Sequence, residues 1–336
     1  MFERSRAFIL GLLMLLALSP FGQASAVMPS PQSSVGPQAC ADCHKEANRI
    51  WAGTRHGKSY PGIEQVGNAR EIMKRMEIRS MEKEANCAGC HITRVEKDGA
   101  IASVSGPSCE SCHGGAKKWL DVHGNYGGKD VKKEQETPEH KKTRLAESTA
   151  AGRIAASELP TLIRGCYTCH FGHDEKLVNV GDHGAGSKLE PDSWLHDTVA
   201  AGFTPLLHRV RNQSEVEPLP RERRREIFVA GKMLELEFSL RAVAKATQNA
   251  PYAKAFAQRV KAVVAALTAI HEKSPIPEVG ALLQAVNPLP EKIKLNNAAV
   301  LEPLADQVAS RIDSFWKRAP GAQLAAIDAL MTGPAK

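Results

Sequence analysis

Aromatic side chains are scarce in this chain: phenylalanine, tryptophan and tyrosine together make 5% of its 336 residues. That excludes a core built mainly of packed rings. Beyond Leu18 no stretch is apolar for long enough to cross a bilayer, so no internal membrane span is expected. Cysteine stops at Cys169, so the chain from residue 170 to 336 is without it. The length suits one large domain or two ordinary ones, and it excludes a miniprotein that folds only when cross-linked.

The amino terminus reads as an export signal. Arg4 and Arg6 give a basic start, Ala7 to Leu18 an apolar run, and Ala24-Ser25-Ala26 a small-residue cleavage site, so the mature chain should begin near Val27. Twelve apolar residues are short for a retained anchor. Export implies a periplasmic protein in an oxidising compartment, where eight cysteines would ordinarily form four disulfides.

The spacing of the cysteines argues for something else. All eight fall in CADCH (40–44), CAGCH (87–91), CESCH (109–113) and CYTCH (166–170), with none left over. Two cysteines three apart, Cys40 with Cys43, Cys87 with Cys90, Cys109 with Cys112 and Cys166 with Cys169, can each add to the two vinyl groups of one haem. The histidine that follows, His44, His91, His113 or His170, turns back beneath the iron as an axial ligand. Zinc is the rival, because Cys87, Cys90, Cys109 and Cys112 fit a two-knuckle tetrathiolate spacing. Neither a tetrathiolate nor a set of disulfides calls for four identically placed histidines. Four c-type haems, covalent and iron-containing, are therefore the expected cofactors.

Haem also changes the charge argument. The formal +7 falls to +6 when Arg4, Arg6 and Glu3 leave with the signal. Eight propionates contribute about −8 and four ferric porphyrin centres about +4, leaving roughly +2. The basic balance then offsets cofactor charge and gives no reason to expect nucleic acid.

A second axial ligand decides whether each iron only passes electrons or also binds a small molecule. His56, twelve residues after His44 in KEANRIWAGTRH, should ride one helix away from its own haem, and His123 is far enough from His113 to reach a neighbour. His183 and His208 are further candidates, ahead of His196 and His173. His140, in a charged stretch, and His271, at a helix end, default to structural roles. Met73, Met76 and Met81 read as packing residues at helical spacing.

CADCHKEANRIWAGTRH, CAGCH followed by SCESCHGG, the later His123 and a fourth pentad resemble the tetrahaem cytochrome c-554 family, associated with hydroxylamine oxidation in nitrifying bacteria. The resemblance spans roughly residues 38 to 200. It implies that His56 and His123 are distal ligands, and that the haem on His91 has an open distal face.

Residues 27–39 read as a mobile Pro/Ser/Gly linker and 40–204 as a loop-rich tetrahaem domain with short helices. Residues 127–144 read as a solvated charged excursion. From 205 to 336 three apolar stripes, through Val229 to Val243, Phe256 to Ile270 and Leu301 to Phe315, predict an antiparallel helical bundle with Pro-containing breaks. RERRR (221–225) reads as an exposed face. The expectation is thus a mainly α periplasmic electron carrier. Its partners would be redox proteins or a membrane quinone-linked oxidoreductase, with no stable membrane span after signal cleavage. The tail would cover the haem domain or, alternatively, form a homodimer. The alternative function is a redox enzyme for hydroxylamine or a small nitrogen oxide at a five-coordinate haem.

Overall fold

A computed structural model describes residues 29–171, 174–186, 209–211, 215–217, 220–287 and 293–331. Helices dominate. Among the described residues the first part of the chain carries ten: α1 (Gln38–Ala41), α2 (Lys45–Gly53), α3 (Arg55–Lys58), α4 (Ala69–Arg75), α5 (Ala85–His91), α6 (Cys109–His113), α7 (Leu120–Gly124), α8 (Pro138–Ala150), α9 (Leu159–His170) and α10 (Glu175–Asn179). Strands β1 (Thr93–Lys97) and β2 (Ala100–Ser105) form an antiparallel hairpin between α5 and α6, turning at Asp98-Gly99 with both residues at positive φ. A second antiparallel pair joins Arg209–Arg211 to Glu215–Glu217.

Among the described residues four further helices follow, three of them long: α11 (Arg221–Lys245), α12 (Pro251–Lys273), α13 (Pro277–Val286) and α14 (Ala298–Arg318), then a 3₁₀ segment, Gly321–Leu330. Each expected stripe is buried, with Met233, Leu236, Leu240, Phe256, Leu267, Leu301, Val308 and Phe315 essentially sealed from solvent. The prolines work differently from their reading as breaks. Pro251 and Pro277 sit in the first turns of α12 and α13, where a missing N–H costs nothing, and Pro303 lies inside α14. As a result α13 occupies part of a region expected to be a connection.

RERRR is not an exposed face. Arg225 pairs with Asp328 at 2.8 Å, Arg221 reaches the same carboxylate at 3.3 Å, and Arg224 is buried. The prolyl-rich entry segment differs from its reading as well. From Pro29 onward it is tied down, because the buried Glu110 carboxylate accepts hydrogen bonds from the N–H groups of Gly36 (2.7 Å), Val35 (3.0 Å) and Ala116 (2.7 Å). An unpaired carboxylate would be costly at that depth, so three backbone donors fix both the segment and the third motif.

The haem-motif region and the bundle share one core. Ile163, Tyr167 and Phe171, from the helix of the fourth motif and the residue after it, pack into the same apolar cluster as α11 and α12. The Tyr167 hydroxyl donates to the Gly231 carbonyl at 2.8 Å. Arg164 donates to the buried Glu237 at 2.6 Å, and Arg241 links Glu237 to Glu302 and Asp306 of α14 at 3.1, 2.7 and 2.7 Å. Tyr167→Ala should therefore cost about 3–5 kcal/mol of stability, as for other buried aromatics, and Tyr167→Phe only about 1 kcal/mol. Urea unfolding of the two variants checks this; equal losses would contradict the packing role of the ring.

Candidate haem centre

Each pentad sits on helical turns, which explains its internal spacing. Residues three and four apart share a helix face, so the two thiols and the histidine emerge on one side. α5, α6 and α9 each end on the motif histidine, and in the first motif the N–H groups of Cys43 and His44 close a turn onto the Cys40 carbonyl at 3.3 and 2.9 Å.

The four motifs open into one cavity of about 1640 Å³, lined by all eight cysteines, the four motif histidines, and His56, His123 and His183. That exceeds the roughly 300–1,000 Å³ of a pocket for a single drug-sized ligand, so there is room for several cofactors. Motifs one and three meet at a Cys40–Cys109 thiol contact, and motifs two and four at Cys90–Cys169. All eight cysteines are free thiols. Burial pushes the Cys112 thiol up to about 11 and that of Cys166 higher still. Among the described residues no three His, Cys, Asp or Glu side chains converge on a point that could hold a metal ion. The zinc alternative therefore has no geometry behind it.

What the cavity contains instead is facing imidazoles. The rings of His44 and His123 lie 6.2 Å apart, centroid to centroid, and those of His56 and His170 lie 6.3 Å apart. Two imidazoles on opposite sides of one metal, each with a metal–nitrogen bond of about 2.0–2.1 Å, place their centroids about 6.4 Å apart. A pair of histidines cannot by itself complete a metal site. Each pair would suit a porphyrin iron, which brings four nitrogens of its own and leaves two positions for imidazoles. The residues present fit haem.

The third facing pair is His91 and His183, at 6.3 Å. Thus an imidazole stands on the distal side of the second motif, where the resemblance implied an open face. His208, His196 and His173 lie outside the described residues.

The imidazoles are also in the state a metal requires. His113 Nδ1 lies 2.9 Å from the Ile154 carbonyl and His183 Nδ1 2.9 Å from that of Gly184. Donation from Nδ1 fixes the tautomer that leaves Nε2 for the metal. Burial, reinforced by the neighbouring His170 and His91, lowers His56 to about 4. Burial together with Arg153 and Arg144 lowers His123 to about 4. Both rings are neutral at neutral pH. His123 Nδ1 is buried and lacks a hydrogen-bond partner, a cost that coordination through that atom would remove.

Supporting residues that the sequence reading passed over come from elsewhere in the chain. Arg144 of α8, held by the Glu136 carboxylate at 2.6 and 2.7 Å, donates to the His123 carbonyl at 2.5 Å. The charged excursion is therefore partly buried and braces His123, and an eight-residue separation between Glu136 and Arg144 gives no local sequence signal of the pairing. The expected single helix from His44 to His56 is two. Thr54 adopts an extended ψ of 168° and caps α3 by accepting from Gly57 N–H at 3.1 Å. The break turns His56 toward the fourth motif. Gly106 packs against the His56 carbonyl so closely that an added Cβ would lie 2.1 Å from that oxygen.

The remaining candidates are structural, as expected. His140 pairs with Glu136 at 2.8 Å, and His271 Nδ1 accepts from Ile276 N–H at 3.1 Å. Met81 packs with Cys87, Ala88 and Ile92, with Met73 against the same cluster.

Comparison with known proteins points the same way. Residues 39–114, which hold the first three motifs and His56, match the family described as Cytochrome c554 and c-prime. Cytochrome c-554 of Nitrosomonas europaea is 26% identical over 111 residues, 31% of this chain and 47% of the relative, so the chain spans about half the length of the curated relative it matches. No solved structure matches. The family match is thus shorter than the stretch over which the motifs resemble it. Paired thiols, facing imidazoles and the match over 39–114 make this chain similar to the cytochrome c554 family, a likeness that implies covalent c-type haem as its cofactor.

Proposed function

We propose that this chain is an exported, periplasmic electron-transfer protein carrying four c-type haems. Cys40 and Cys43, Cys87 and Cys90, Cys109 and Cys112, and Cys166 and Cys169 would hold them through thioethers, with His44, His91, His113 and His170 as proximal ligands. The observation that carries the reading is the opening of all four motifs into one cavity that also holds imidazoles at two-ligand spacing.

Haem supplies reversible one-electron iron chemistry when bound. The chain's own contribution is position and dielectric. Cys40 against Cys109, and Cys90 against Cys169, bring motifs one and three, and two and four, into contact, so neighbouring cofactors would lie close enough to exchange electrons. His123, steadied by Arg144, would complete the haem on His44, and His56 the haem on His170. Ligation by two histidines favours low potentials relative to Met/His sites.

No helix among the described residues is long and apolar enough to cross a membrane. A water-soluble redox protein or a membrane quinone-linked oxidoreductase is the partner class that fits a carrier of this kind.

Mass measurement of the exported protein should find four haems, adding about 2.5 kDa to the signal-cleaved polypeptide; a mass equal to the amino acids alone would end the reading. His123→Ala and His56→Ala should each leave four haems attached while converting one haem from low to high spin in ferric electron paramagnetic resonance. Unchanged spectra in both variants would contradict the assigned distal ligands.

A further inference from the structure

The loop that carries His183 is held from a part of the molecule to which the motifs give no role. It runs from α10 through Asp182, at φ 61°, to Gly186, at φ 76°. Within the loop, the His183 N–H bonds back to the Leu177 carbonyl at 3.2 Å. On one side Arg75 of α4 reaches the Asp182 carboxylate at 2.9 Å and the Gly181 carbonyl at 3.3 Å. On the other, Arg259 of α12 donates to the carbonyls of Ala185 at 3.2 Å and Gly186 at 3.1 Å. Its guanidinium also stacks on the Phe171 ring, 4.8 Å from the centroid. Arg259 therefore joins His183's loop to the residue directly after the fourth motif.

The start of that loop is stitched to the bundle too. The Glu175 carboxylate accepts from the N–H groups of Thr247 (3.0 Å) and Gln248 (3.1 Å) and from the Thr247 hydroxyl (2.8 Å). Asn179 Oδ1 accepts from Tyr252 N–H at 2.9 Å, in the first turn of α12. An otherwise short surface segment is thus fixed at both ends by the helices that follow it.

We propose that His183 is the distal axial ligand of the haem on the second motif, and that the C-terminal helices act, through Arg259, as the brace that keeps it there. The inference rests on the four-haem reading above. Three observations point to it. The separation of the His91 and His183 rings matches that of the other two pairs. The 2.9 Å contact between His183 Nδ1 and the Gly184 carbonyl sets the orientation of the ring. The bundle fixes the loop on which the ring is carried. The consequence is chemical: the face implied to be open to small molecules is closed in this chain, so that haem passes electrons without binding a substrate. Arg259 is a positioning residue and touches neither iron nor porphyrin.

The test uses the exported, haem-loaded full chain, with attached haems counted by mass before any spectrum is read. His183→Ala should retain four haems, gain one haem equivalent of high-spin ferric signal over the parent, and bind nitric oxide at that haem. Added imidazole should reverse the spin change, and His183→Met should keep the haem low-spin while raising its potential. Arg259→Ala should convert part of the same haem, and Arg259→Lys should largely restore it. If the parent carries four haems and His183→Ala has the parent's spectrum and nitric oxide response, the ligation is overturned while the four-haem reading stands. If His183→Ala changes the spectrum and Arg259→Ala does not, the brace is overturned. A parent without haem would instead overturn the reading on which the inference rests.

Discussion

The structure depends on a constraint that protein atoms alone do not satisfy: pairs of imidazoles held with ring centroids 6.2–6.3 Å apart across a cavity lined with thiols. Burying polar rings without partners is unfavourable, and His123 carries a buried nitrogen with none. An iron porphyrin offsets that cost at every level. The imidazoles would hold its iron, the paired thiols would hold its vinyl groups, and its face would fill volume that a chain with 5% aromatic residues does not fill with rings.

The rest of the fold can be understood as scaffolding for those pairs. In none of the three does a histidine face the ring of its own segment. His123 comes from beyond the third motif to meet the first, His56 from beyond the first to meet the fourth, and His183 from beyond the fourth to meet the second. Each cross-match brings together two distant segments of chain, so a haem held between the paired rings would tie those segments to one another. Arg144 and Arg259 serve the same end by gripping main-chain carbonyls at or beside the distal histidines. A guanidinium suits the task because its fixed fork can bind a carboxylate or ring on one side and a carbonyl on the other.

Much of this was legible in the sequence, for identifiable reasons. The pentads are local, since the residues that bind one cofactor lie within five positions, and helical periodicity places them on one face without tertiary information. The stripes of α11, α12 and α14 were readable because burial of one face leaves a 3.6-residue signature. Pairing between histidines was not readable, because it depends on how far apart in sequence two segments meet. The break at Thr54 falls where Gly53 and Thr54 lower helix propensity and a threonine hydroxyl caps the next helix, a local signal that the apolar spacing of KEANRIWAGTRH masked. Pro277 and Pro303 read as interruptions because a proline in sequence does not reveal whether it begins a helix or follows its start. RERRR read as a solvated face because its acidic partner, Asp328, lies more than a hundred residues away.

The central claim is that three pairs of histidines each straddle one iron. The most direct measurement is anomalous diffraction at the iron edge from crystals of the exported, haem-loaded protein. The account requires four iron peaks, with one midway between His44 and His123, one between His56 and His170, and one between His91 and His183. Iron bound to only one ring of any of these pairs, or cysteines joined to each other with no iron nearby, would contradict it.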